Sequence, residues 1–144
     1  MVFGMLAAGC DTGTGSDTSI DPALNGTWVQ STVSEGVTYV LAIKFSSGNF
    51  EGIVNGTSYM KGVYTTKSGT ITVTTTQVWG PSQDSRLAAK WYSQSELKTA
   101  LQSLGWSQVD IDDELSSFSP QTSKYSINGN TLTIDGDGIF TKQQ

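Results

Sequence analysis

The chain has 144 residues, a formal net charge of -5, a pI near 4.4, 36% hydrophobic and 10% aromatic residues, one cysteine and no histidine. That length holds one domain once a leader and a linker are set aside, and the acidic balance argues against phosphate-backbone binding, which needs clustered Lys and Arg. The commonest general base and metal ligand is missing with histidine, and a lone thiol leaves packing, not intramolecular disulfides, to hold the fold.

At the start of the chain, the apolar run from Met1 to Gly9 ends in small residues at Cys10, and Asp11 to Thr18 are all small and polar. This order resembles the end of a bacterial lipoprotein signal peptide, in which small residues precede a cysteine that is acylated and becomes the mature N-terminus. Ala7 stands where that motif usually carries its large apolar residue, with Leu6 one position further back. No Lys or Arg precedes Cys10, whereas a secretory signal opens on a basic region, so the natural start is expected upstream of Met1. The resemblance implies a signal remnant over 1–10, a flexible tether over 11–23 and a domain over 24–144. It also implies acyl chains on Cys10 that anchor the protein to a membrane of the bacterial cell envelope, in the periplasm or at the surface. Two or more such chains hold a protein stably where one does not. Asp11 resembles a residue that retains lipoproteins at the inner membrane in some bacteria, a rule that varies between groups, so the leaflet stays open. No later apolar run approaches the length of a membrane-spanning helix.

From Gly26 to Trp79, β-branched and aromatic residues alternate with polar ones, and Gly or Ser-Gly marks the breaks, a strand-turn-strand pattern. The first strand opens at Gly26 Thr27 Trp28. The second, over 37–45, places Tyr39, Leu41, Ile43 and Phe45 on one face, because strand side chains alternate with period two. The third carries Phe50, Gly52 and Val54 on one face, and Asn55-Gly56 signals a hairpin whose central residues both need positive φ. The fourth sets Met60, Gly62 and Tyr64 on one side, and the fifth alternates Ile71 and Val73 with threonines. Pro81 ends this run. Leu97, Ala100, Leu101 and Leu104 then share one helical face, with Ser93 and Glu96 as a capping box and Gly105 as the stop. A second helix over about 108–117 is expected to turn Val109, Ile111, Leu115 and Phe118 toward the core, and Pro120 ends it. Strands over 123–128, 131–134 and 138–142 complete the chain.

Tyr64 Thr65 with Gly69, Ile71, Thr72 and Val73 is echoed by Tyr125 Ser126 with Gly129, Leu132, Thr133 and Ile134, so both segments read as one hairpin design. Together with the opening Gly26 Thr27 Trp28, about eight strands and one helical excursion, this resembles the lipocalin-like, or calycin-like, domain of small bacterial lipoproteins, roughly over 24–142. The resemblance implies a mainly β fold, an antiparallel up-and-down barrel of about eight strands. The one- or two-helix excursion between strands five and six departs from the plain family pattern. Closing the sheet also removes the two exposed edges of an open one.

An eight-stranded interior is either just filled by side chains or just wide enough for one small ligand, so residue size decides between plug and pocket. Trp28, Leu41, Ile43, Phe45, Phe50, Met60, Tyr64, Ile71, Val73, Tyr125, Leu132, Ile134 and Phe140 are expected inside. Of these, Trp28, Leu41, Ile43, Phe45, Phe50, Met60, Tyr64, Tyr125 and Leu132 are the candidate ligand contacts, and Gly52 and Gly62 are expected to leave local space. Trp79, Trp91, Tyr92 and Trp106 in the excursion serve either as a lid or contact surface or as the helices' own packing, with Trp91 and Trp106 as the candidate partner surface.

Chemistry beyond this is sparse. Asp110, Asp112, Asp113 and Glu114 lie along one expected helix, cannot converge on a point, and lack the glycine and spacing of a calcium loop, so they read as a solvated face. No phosphate-cradling glycine loop is present. The expectation is a protein with no catalytic residues, metal or cofactor, acting as a lipid-anchored binder of a small apolar ligand or acyl chain. The alternative is a structural or protein-interaction lipoprotein with a filled barrel, working through its excursion.

Overall fold

The computed structural model describes residues 19–144. The expected acylation site at Cys10, the signal remnant and residues 11–18 of the tether lie outside the described residues. Nine strands are formed: β1 (Gly26–Ser34), β2 (Val37–Ser46), β3 (Asn49–Val54), β4 (Thr57–Lys67), β5 (Thr70–Trp79), β6 (Trp91–Tyr92), β7 (Gln121–Asn128), β8 (Thr131–Ile134) and β9 (Gly138–Lys142). Three α-helices, α1 (Gly80–Gln83), α2 (Gln94–Ser103) and α3 (Gln108–Leu115), lie between β5 and β7, and 3-10 turns occur at Pro22–Leu24 and Ser116–Phe118.

Every strand pairing is antiparallel. β1 to β5 form a meander, β5 pairs β7, β8 and β9 follow in order, and β9 returns to β1. Eight strands therefore close into an up-and-down barrel, while the two-residue β6 joins β5 beyond β7. At Asn55-Gly56 both φ angles are positive, 49° and 81°, as the hairpin needs, and the same pair of signs recurs at Glu35-Gly36, Ser47-Gly48 and Ser68-Gly69.

One end of the barrel gathers the turns at 47–48, 68–69 and 129; the other gathers those at 35–36, 55–56 and 135–137 and the whole excursion. The first end is plugged. Leu24, Trp28, Phe45, Phe50, Tyr64, Ile71, Leu132, Ile134 and Phe140 form one buried cluster, and all other residues expected inside pack against it. Phe45 and Tyr64 meet edge to face at 4.9 Å. Burying one side chain of this size contributes about 1.5 to 3 kcal/mol.

The 3-10 turn that seats Leu24 in the plug was not expected from the sequence. Asp21 caps the 3-10 turn, its Oδ1 accepting from Ala23 N at 2.9 Å, and Pro22 begins it. The turn drives Leu24 to full burial, where its carbonyl accepts from Trp28 Nε1 at 2.7 Å. Tyr125 Oη donates to Asp21 Oδ2 at 2.7 Å, and Ser19 and Thr66 exchange two backbone hydrogen bonds. Residues 19–23, assigned to the tether from sequence, are thus seated against the barrel.

The excursion builds a second core from Val78, Leu87, Tyr92, Leu97, Leu101, Ile111, Leu115 and Phe118, and Met60 packs against both cores. The capping box at Ser93 and Glu96 forms as expected. Val109 does not face the core but is 70% exposed. Ile111, Leu115 and Phe118 define the buried stripe, and Val109, two residues before Ile111, lies about 200° around the helix from it. The expected space at Gly52 and Gly62 is also taken: a Cβ on Gly52 would meet Met60 and Tyr59, and one on Gly62 would meet Phe50 and the Thr74 backbone.

Tyr64 is 1% exposed, yet its Oη has no hydrogen-bond partner. Burial raises its pKa, with the nearby Asp21 charge adding. In urea denaturation, Leu24→Ala is expected to cost about 3 kcal/mol, whereas Tyr64→Phe, which deletes an unsatisfied hydroxyl, is expected to leave stability unchanged or raise it.

Candidate functional site

Opposite the plug, a cavity of about 460 Å³ opens at the barrel mouth. Its apolar lining is Leu41, Ile43, Phe45, Phe50, Met60, Ile71, Val73, Ile134 and Phe140; its polar lining is the buried Thr75, Ser123 opposite Ile71, and Tyr59, Ser116, Ser117, Gln121, Asp135 and Asp137. Volume and lining both fall in the range of small-molecule sites, roughly 300 to 1,000 Å³ with an apolar body and few polar groups.

β4 is flanked by two register shifts, one from an extra residue in β4 itself and one from an extra residue, Thr76, in β5. Its register with β3 shifts between Gly52 and Ile53, and its register with β5 shifts between Lys61 and Gly62. The first is a bulge that leaves Tyr59 as an extra residue, so Tyr59 and Met60 both lie against the open side of Gly52 and both line the cavity. Strict alternation would have sent Tyr59 outward. Burial and the charge of Asp137 raise the Tyr59 pKa, which keeps the phenol protonated at neutral pH.

The remaining rim comes from connections. The 3-10 turn Ser116–Phe118 continues from α3 and brings Ser116 and Ser117 over the mouth. Ser116 Oγ donates to Asp113 O at 2.6 Å, Ser117 Oγ donates to Glu114 O at 3.0 Å, and Gln121 Nε2 donates to Ser119 O at 3.2 Å. The turn between β8 and β9 supplies Asp135 and Asp137, both exposed.

Of the nine ligand contacts expected from sequence, Leu41, Ile43, Phe45, Phe50 and Met60 line this cavity. Trp28, Tyr64, Tyr125 and Leu132 do not; they lie in the packed core toward the plug, where large residues and Leu24 leave no opening. Tyr59 and the rest of the rim were missed. Glycines at 52 and 62 were the available signal for Tyr59, since glycine inside a strand often marks a bulge.

The excursion tryptophans have partners within the chain. Trp106 packs against the second core, and its Nε1 donates to Asp84 Oδ2 at 3.0 Å. Asp84 also binds Arg86, whose guanidinium holds the Asp84 carboxyl well below the usual carboxylate range. Trp91 meets Trp79 edge to face at 5.5 Å, and Lys61 Nζ lies 4.2 Å from the Trp91 ring. In the acidic run, Asp110 accepts from Ser107 Oγ and Asp112 from Gln108 Nε2. Among the described residues no group of three or more His, Cys, Asp or Glu could hold a metal ion.

Compared with protein-family models, with curated proteins and with solved structures, the chain matches none.

At the plugged end, burial and then the hydrogen bond and charge of Asp21 push the Tyr125 pKa up to about 12 from an ordinary value of 10.0. A proton held more tightly in the folded state gives stability that is whole below the unfolded pKa and is lost as pH rises through the folded one. Stability is therefore expected to fall between about pH 10 and 12, and Tyr125→Phe to flatten that fall, measured by urea midpoints across an alkaline series.

Proposed function

We propose that this chain is a non-enzymatic, lipid-anchored binding protein of the bacterial cell envelope, whose barrel holds one small molecule with an apolar body. The mouth cavity is the observation that carries this reading: about 460 Å³ with an apolar lining and a set of polar groups, at the end of the barrel opposite the plug. The plug supports it, because a ligand of this barrel enters and leaves by the mouth alone. The apolar run before Cys10 supports the anchor. Ser19 lies at the plugged end through its pairing with Thr66, so an anchor upstream joins the barrel at the end opposite the mouth.

Titration with the fluorescent apolar probe N-phenyl-1-naphthylamine is expected to show saturable binding at one site. Val73→Trp, which fills the cavity from its wall, is expected to weaken that binding about tenfold or more while the variant stays folded by circular dichroism. Absence of saturable binding, or binding unchanged in Val73→Trp, overturns the cavity as a ligand site. The anchor is tested separately: Cys10→Ala is expected to move the protein from the membrane fraction to the soluble fraction of a bacterial host, and a variant that stays with the membrane overturns acylation at Cys10.

A further inference from the structure

We propose that the mouth selects a ligand whose polar head is an ammonium group, a cationic amphiphile and not a fatty-acid carboxylate; this rests on the cavity being a ligand site. The argument comes from what the rim has left to offer. Two carboxylates, Asp135 and Asp137, stand at the mouth, and no Lys or Arg lines it. Among the described residues no hydrogen bond or ion pair occupies either carboxylate.

The neutral groups lean the same way. Ser116 Oγ and Ser117 Oγ already give their only protons to helix carbonyls, so each presents lone pairs to the mouth. Gln121 uses an amide proton on Ser119 O and keeps its carbonyl oxygen as an acceptor. The two serines also sit at the C-terminal end of α3, which carries partial negative charge and has no basic residue in its last turn to offset it. Against these acceptors, Tyr59, Thr75 and Ser123 retain hydroxyl protons to donate and Gln121 retains its second amide proton.

A rim rich in acceptors and formal negative charge fits a head with several N–H donors and a positive charge, while the apolar lining takes its alkyl or aromatic body. A carboxylate head would meet two like charges, Asp135 and Asp137.

Isothermal calorimetry with octylammonium, octanol and octanoate, at neutral pH and low salt, separates the cases. Octylammonium is expected to bind about tenfold or more tighter than octanoate, with octanol between, and added salt to narrow the gap. The Asp135→Asn, Asp137→Asn double variant is expected to remove most of the octylammonium advantage and leave octanol unchanged. Asp110→Asn, which removes a charge at the far end of α3, is expected to keep the original order. Octanoate binding as tightly as octylammonium, or an ammonium preference undiminished in the double variant, overturns the head-group assignment and leaves the cavity standing. If none of the three binds, the cavity reading fails and this assignment with it.

Discussion

The barrel depends on a short seam. β9 meets β1 only through Thr141 opposite Val29 and Lys142 opposite Trp28, extended by Gln143 N donating to Thr27 O at 2.8 Å. Past Val29 the strands part, and Gln30 Nε2 reaches across to Asp137 O and Ile139 O, each at 3.3 Å. Gly138 permits that reach, since a Cβ there would overlap the Gln30 amide. Without the seam the sheet has two open edges, which invite pairing with other chains. Trp28 stands at the seam, with Lys142 Nζ 5.0 Å from its ring and its Nε1 on the Leu24 carbonyl. Closing the wall and plugging the end therefore use the same side chain.

From that constraint follows the difference between the two ends. At the seam the interior holds Trp28, Phe140 and Leu24, joined by Phe45 and Tyr64, and these fill the section completely. Toward the mouth the inward residues are Leu41, Ile43 and Val73, smaller and only partly buried, and the wall is interrupted by the bulge at Tyr59 in β4 and by the extra residue Thr76 in β5. A bulge increases local twist and re-aims side chains. Here it turns a tyrosine into the mouth beside Met60. The sequence posed a choice between plug and pocket, and the molecule is built as one above the other.

How much of this could be read from residues alone depends on which periodicity was intact. Where alternation ran unbroken, as in β2 and in β5 up to Val73, the inward faces were legible, and all thirteen residues expected inside belong to the core or pack on it. The α2 helix was legible because its cap, its apolar face and its stop agree. Tyr59 was not, because a bulge inverts the parity on which the argument runs. Leu24 was not, because a single leucine outside any periodic run carries no pattern; its role comes from a tertiary contact. Ser116, Ser117, Asp135 and Asp137 read as helix-end and turn residues, which they also are. Their place on one rim follows from barrel closure, which brings distant connections to a common opening.

Met60 joins the two halves of the molecule. It lines the cavity, packs against the barrel core, and packs against the helical core that holds Val78, Leu97, Ile111 and Phe118. An unbranched, polarizable side chain suits a place where three surfaces meet at unequal angles, and a β-branched residue would fit only one of them. The excursion is thereby seated on the barrel wall by apolar contact as well as by its chain ends, and Ser116 and Ser117 reach the rim from a supported element. The cavity thus has a floor fixed by the plugged end and one side fixed by the excursion. Such support lets a rim of short polar side chains keep its geometry before a ligand arrives, which lowers the ordering cost of binding.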